Sequence, residues 1–340
     1  MGTRAKFVLM LLIGISLACM EAAAPAMAQM KQLRITIPAH TFTFYTLFVA
    51  QDKKFFNEEG YNFEIVVTGG DGPDVDALVA GNVEFTATPP HRLFIAAEQG
   101  KRLLVVANLM NRVGINCFMN KTVADRLGIT EKTPLAEKIK ALRGLTVGGT
   151  RPGAFTYNLA LHYIRRGGYT PQRDVNVIAA GVGPTMIAAV EHNKIDIGCE
   201  ASPVCEQSVL AGKSIMWVNN TRGEDPEFSE FLMEALYVRP DYAAKNPEIV
   251  RGVVKALVRA LRFIADGPEE EHMVILRNRF KGVPDTVLRE SLKNVRAAVE
   301  PTGRISPRSV EAHLKFAKDA GLLKTDVSWT ELVSNDYLPK

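Results

Sequence analysis

Short apolar runs rich in β-branched residues alternate with stretches whose apolar residues recur at helical spacing along nearly the whole chain. Runs at 33–37, 63–68, 83–88 and 103–109 read as strands. Between them 45–59, 73–80 and 91–99 read as helices, the first stopped by Gly60. An apolar run at 113–119 precedes a second round of the same alternation. It comprises helix 133–142 opened by Thr133-Pro134, strand 145–149, helix 154–166, strand 175–179 and helix 184–192. Strand 195–199, a helix from Ser202-Pro203 to Leu210 and strand 215–218 complete the round. One more strand is expected at 235–238, and the remainder reads as helix. The clearest helix starts at Asn246-Pro247 and repeats Val250, Val253, Val254, Leu257, Leu261 and Ile264 on one face. Further helices are expected at 270–280, 284–298 and 307–320.

Strand–helix–strand alternation predicts an α/β fold with mostly parallel pairing. Two such units occur with no low-complexity linker between them. Two lobes joined by ordinary strands, 113–119 and 215–222, form a hinge. Residues 115–218 are expected to form one lobe, inserted between 31–112 and 222–340, which form the other.

The N-terminus has its own polarity order. Arg4 and Lys6 precede an apolar run over 7–18, and Ala26-Met27-Ala28 supplies small residues for a leader peptidase. This predicts a signal peptide over 1–28, export, and a periplasmic location. The run is too short for a membrane span, which takes about 20 residues. Cys19 offers the alternative of a lipid anchor, although Ser16 stands where a lipoprotein leader usually carries Leu.

Hydrophobic content of 47% and charged content of 23% exclude disordered and fibrous classes. A net charge of +4 without a basic stripe gives no reason to expect a nucleic-acid partner. Cleavage after Ala28 leaves Cys117, Cys199 and Cys205, an odd count that requires a free thiol. Cys199 and Cys205 either pair or stay as buried thiols. Their spacing fits no zinc motif, and no metal or other cofactor is expected.

Catalytic signatures are missing. Gly212-Lys213-Ser214 ends like a phosphate-binding loop but lacks the upstream glycine, and Glu269 to His272 are consecutive residues that do not share a helix face. The loops after strands carry the candidate chemistry, because open α/β sheets bind ligands beyond the carboxyl ends of their strands. Those loops supply His40, Phe42, Phe44 and Tyr45, then Gly70, then Thr88 and His91. The second unit adds Thr150, Arg151, Gly153, Ala154 and Phe155, then Glu200. The 148–156 turn leads into a helix, where glycines, unpaired N–H groups and Arg151 suit an anion; such turns are also common in every α/β fold, with the arginine pointing to water. Phe42 and Phe44 suit either an apolar ligand face or the core.

Leu33–Pro38, the phrase Phe55-Phe56-Asn57-Glu58-Glu59-Gly60, the strand from Phe63, and Leu142 to Gly148 resemble a known family. The chain is similar to the nitrate/sulfonate/taurine and thiamine-pyrimidine-precursor group of ABC-transporter substrate-binding proteins. The resemblance runs over most of 31–340. It implies a type II periplasmic binding fold with the ligand held between lobes. It also implies a receptor, not an enzyme, that hands a small organic solute to an ABC permease in the inner membrane. The solute is expected to be an acid or sulfonate, with an aromatic one allowed, and the protein a monomer. Glu200 departs from a purely anionic site and calls for an amine or hydroxyl on the ligand as well. An enzyme on the same fold (pyrimidine synthase-like or aromatic-acid decarboxylase-like) and a ligand-binding sensor are the alternatives.

Overall fold

The computed structural model describes residues 30–340. The leader expected over 1–28, Cys19 with it, lies outside the described residues. Ten strands build two five-stranded sheets. The first contains β1 (Lys31–Ile37), β2 (Tyr61–Val67), β3 (Phe85–Thr88), β4 (Leu104–Met110) and β10 (Glu234–Val238), in the order β2-β1-β3-β10-β4. The second contains β5 (Ile115–Asn120), β6 (Thr146–Gly149), β7 (Asn176–Ala179), β8 (Ile197–Ala201) and β9 (Ser214–Val218), in the order β7-β6-β8-β5-β9. The type II periplasmic binding fold expected from the sequence is the one observed.

Burial follows the period of each element. In β1, Leu33, Ile35 and Ile37 point into the core while Gln32 and Arg34 face solvent. All six residues of β5 are buried, as suits a strand flanked on both sides. The helix Pro247–Asp266 starts with Pro in its first turn and is followed by Gly267. It buries Val250, Val253, Val254, Leu257, Leu261 and Ile264 on one face. That face packs against the helix Tyr45–Asp52.

Pairing is less parallel than the alternation suggested. β1, β2 and β3 run parallel, as do β6, β7 and β8. β10 inserts antiparallel between β3 and β4, and β5 inserts antiparallel between β8 and β9. Each inserted strand comes from a distant part of the chain, which local periodicity does not register. The register sets Ala235 opposite Thr88 and Ile115 opposite Ala201. The amino ends of β10 and β5 therefore reach the edge where the parallel strands have their carboxyl ends.

Three local expectations change. The helix expected over 45–59 is two helices, Tyr45–Asp52 and Phe55–Glu58, because Lys54 takes a left-handed conformation at φ 60°. A helix not expected, Lys121–Leu127, follows β5 directly; the Asn120 side chain accepts from the Thr122 and Val123 N–H groups and caps it. The pairing considered for Cys199 and Cys205 does not form. Cys199 on β8 is the direct cross-strand partner of Cys117 on β5, and these two make the disulfide. Cys205 lies on the following helix as a buried thiol, donating toward the Glu200 and Asn116 carbonyls.

The chain passes between the sheets at 111–114 and 219–233. Arg112 of the first crossing donates to the Ser229 carbonyl of the second at 3.3 Å, and polar side chains tie the second crossing to the start of β5. Asn220 donates to the Ile115 carbonyl at 2.9 Å, and the Thr221 N–H donates to Asn116 Oδ1 at 3.2 Å.

Candidate functional site

A cavity of about 750 Å³ lies where the loops of the two sheets meet. Loops after β1, β2 and β3 contribute Pro38–Thr41, Gly69, Asp71 and Pro89. Loops after β6, β7 and β8 contribute Thr150, Arg151, Val182–Pro184 and Pro203. The antiparallel strands add their amino ends, with Ile115 from β5, and Glu234 of β10 after Met233. The loop 281–283, between the helices Glu269–Arg279 and Asp285–Ala298, closes one side with Lys281. The volume fits a small organic molecule.

Of the residues singled out in the sequence, His40, Phe44, Thr150, Arg151, Ala154, Phe155 and Glu200 line this cavity. His40 stacks on Phe48 at 4.5 Å between ring centroids and lies 5.0 Å from the Phe280 ring; burial, and then the Arg279 charge, lower its pKa. Phe42 and Tyr45 belong to the core instead. Phe42 is buried against Phe280, and the Tyr45 hydroxyl bonds to His272 Nδ1 at 2.9 Å. The loop after β1 turns into helix at this point, which sets Phe42 and Tyr45, three residues apart, on the inward side.

Thr88 and His91 are fully buried behind the wall, with Pro89 taking their place on the surface of the cavity. Burial, followed by the nearby His313 and Arg92 charges, pushes the His91 imidazole well below its usual range, so its 3.5 Å approach to Asp71 Oδ2 is not an ion pair at neutral pH.

Gly70 and Gly153 lie beside the cavity without lining it, in a contact between the two sides. Arg92 Nη2 donates to the Gly153 carbonyl at 3.0 Å. The Arg151 guanidinium lies over Gly70, where a Cβ would come within 1.6 Å of Nη2. Gly153 has φ +82°, a conformation that glycine adopts at no steric cost.

The helix start expected to seat an anion already faces a carboxylate of the chain. Asp71 is close to the Phe155 N–H and to both Arg92 and Arg151. These oppose the burial that raises its pKa. The Thr150 hydroxyl is bonded to Thr156 Oγ1 at 2.7 Å.

Two further carboxyl groups share the wall. Glu200 Oε1 accepts from the Ala201 N–H at 2.9 Å. Burial pushes this acid up to about 7 against the N–H groups of Ala201 and Gly183. Glu234 is raised well above the carboxylate range by burial and then by the charges of Asp71 and Asp74, with Thr43 opposing. Sequence reasoning missed Asp71, Glu234 and Lys281. Asp71 directly follows Gly70 and was within reach. Glu234 opens an antiparallel strand and Lys281 lies between two helices, so a search confined to the carboxyl ends of strands passes over both.

Among the described residues, His162, Glu227 and Asp319 could together offer ligands to a metal ion away from this cavity. Arg166 and Lys315 already supply positive charge to those two carboxylates. No helix among the described residues is long and apolar enough to cross a membrane.

The riboflavin-binding protein RibY of Chloroflexus aurantiacus is 26% identical over 93% of this chain and 88% of its own length. The ligand-binding component of an ABC-type import system from Staphylococcus aureus superposes with a TM-score of 0.70 at 15% identity, over 90% of this chain and 97% of that one. The alkanesulfonate-binding protein SsuA from Xanthomonas axonopodis pv. citri gives 0.67 at 18% identity, over 92% and 99%. A desulfurization enzyme also shares the fold, at 0.63 and 13% identity over 90% and 97%. At these identities the superpositions speak for the fold alone. The model of the NMT1-like family matches residues 28–276, and the chain belongs to that family.

Proposed function

We propose that this protein is the solute-binding receptor of an ABC importer, working in the periplasm as a monomer and delivering a small organic solute to a permease in the inner membrane. The observation that carries the reading is the cavity of about 750 Å³ lined by both sides of the molecule. Residues 31–112 with 222–340 act as one lobe and 115–218 as the other, and the paired crossings between them act as the hinge. Closure about such a hinge would bury a solute from both sides. Val67 and Val182, exposed apolar side chains that line the mouth from opposite sides, favour such closure. The Cys117–Cys199 disulfide suits an oxidising compartment. The sequence relative named as a riboflavin-binding protein supports a receptor over an enzyme.

The position of Asp71 argues against an acid or sulfonate as the solute, because the seat expected for its charge faces a carboxylate already. A thermal-shift screen of the mature chain over sulfonates, carboxylates, amines and uncharged heterocycles tests the receptor reading, since a ligand that binds only the folded state raises Tm. A rise confined to one chemical class supports it. Equal, negligible shifts across all classes contradict it.

A further inference from the structure

Asp71, Glu200 and Glu234 are the carboxyl groups on the cavity wall, and they are 7%, 5% and 2% exposed. Each keeps one oxygen without a hydrogen-bond partner: Asp71 Oδ2, Glu200 Oε2 and Glu234 Oε2. An unsatisfied buried polar group costs about 1–3 kcal/mol. Three such groups around one cavity leave its wall rich in carboxyl acceptors.

The guanidinium groups beside the cavity are grouped around Asp71. Arg151 lies over Gly70, and both Arg151 and Arg92 act on Asp71. Lys281 is exposed at the edge of the site. Burial already disfavours the ionised forms of Glu200 and Glu234, and an anion placed beside them would disfavour those forms further.

Building on the receptor reading, we infer that the solute is uncharged or cationic, and that it donates N–H or O–H hydrogen bonds to Glu200 and Glu234. Imides, ring amines and polyols fit; carboxylates and sulfonates do not. Asp71 takes the place of the ligand's anion at the start of the helix Phe155–Arg166. Burial, and then the charges of Asp71 and Asp74, also disfavour the ionised form of Glu234.

Isothermal titration calorimetry at pH 7.5 decides the matter with four probes. Riboflavin, with an imide and hydroxyls, and cytosine, an aminopyrimidine, are uncharged; benzoate and MOPS are anions. At least one uncharged probe is expected to bind the wild type, with both anions at least about tenfold weaker. Hydrogen bonds to charged groups correspond to roughly ten- to a hundredfold in affinity, so Glu200→Gln should weaken the bound probe by about that factor. Glu234→Leu should also weaken it. Both variants should melt at or above the wild-type Tm without ligand, because each removes a buried acid with an unsatisfied oxygen. A purely structural role would lower Tm instead, and that result overturns the inference. Benzoate or MOPS binding as tightly as the uncharged probes, or indifferently to Glu200→Gln, overturns it and leaves the receptor reading standing. Binding by none of the four removes the receptor reading, and the inference falls with it.

Discussion

Arg92 and Gly153 join the two sides of the molecule: the guanidinium Nη2 donates to the carbonyl at 3.0 Å across the edge of the cavity. Arg92 sits in the first turn of the helix His91–Glu98, on the side of the first sheet. Gly153 sits in the turn between β6 and the helix Phe155–Arg166, on the side of the second. A hydrogen bond with a charged partner contributes about 1.5–3 kcal/mol. Arg92→Ala should therefore shift the ligand-free protein toward open conformations. Small-angle X-ray scattering should give a larger radius of gyration than for the wild type, with native secondary structure by circular dichroism. An unchanged radius would mean that this contact does not hold the two sides together.

The turn after β6 depends on Gly149. A Cβ there would lie 2.4 Å from the Tyr157 Cα and 2.7 Å from its backbone nitrogen, both closer than real atoms approach. Neither atom can move without shifting the first turn of the helix. Overpacking of this kind costs about 1–3 kcal/mol. Gly149→Ala should lower the denaturant midpoint accordingly, while Gly168→Ala, at a site open to solvent, should show only the effect of its left-handed backbone. Equal midpoints for Gly149→Ala and the wild type would contradict the close approach.

Thiol chemistry follows from the pairing. Cys117 and Cys199 are consumed by the disulfide and Cys205 is buried. The mature chain should give no reaction with Ellman's reagent when native and one thiol when denatured. Two thiols on denaturation would point to retention of Cys19. Replacing both Cys117 and Cys199 by Ala should destabilise the protein by about 2–4 kcal/mol, the usual range for a native disulfide.

Most of the fold was legible in the sequence, because a period of two or 3.6 is a local property. β1 and the helix Pro247–Asp266 announce themselves through residues at most a few positions apart. The insertion of β10 between β3 and β4 joins segments more than a hundred residues apart, and no periodicity records it. Distance along the chain also hid the Cys117–Cys199 pair, 82 residues apart, and the role of Glu234. The candidate site was legible where a loop follows a parallel strand, as at Thr150, Arg151 and Glu200. It was not legible where an antiparallel strand brings its opposite end to the same place. Phe42, Tyr45, Thr88 and His91 were chosen by loop position, and their burial depends on neighbours that arrive from elsewhere in the chain.

Glu200 gives the stability a pH dependence of known sign. Its acid sits at about 7 in the folded chain against 4.5 ordinarily. Between these values the folded state holds a proton that the unfolded state has released. Its contribution is complete below about pH 4.5 and is lost as pH rises through 7. Asp74, also raised to about 7 by burial, acts in the same direction. His272 and His313, lowered by burial to about 4 and about 3, act oppositely as pH falls below 6.5. Comparison with Glu200→Gln isolates one group. The Tm advantage of the variant should grow from pH 4.5 to pH 7 and then level off. A difference independent of pH would show that Glu200 titrates normally.

The central claim is that a small organic solute occupies the cavity between the two sides. Native mass spectrometry of the mature protein, after incubation with a small-molecule extract of bacterial cells, tests it most directly. The account predicts a one-to-one adduct with a small organic molecule, lost in Ala39→Trp, where an indole on the lining takes up the space while circular dichroism stays native. No adduct on the wild type, or an adduct that survives in Ala39→Trp, would contradict it.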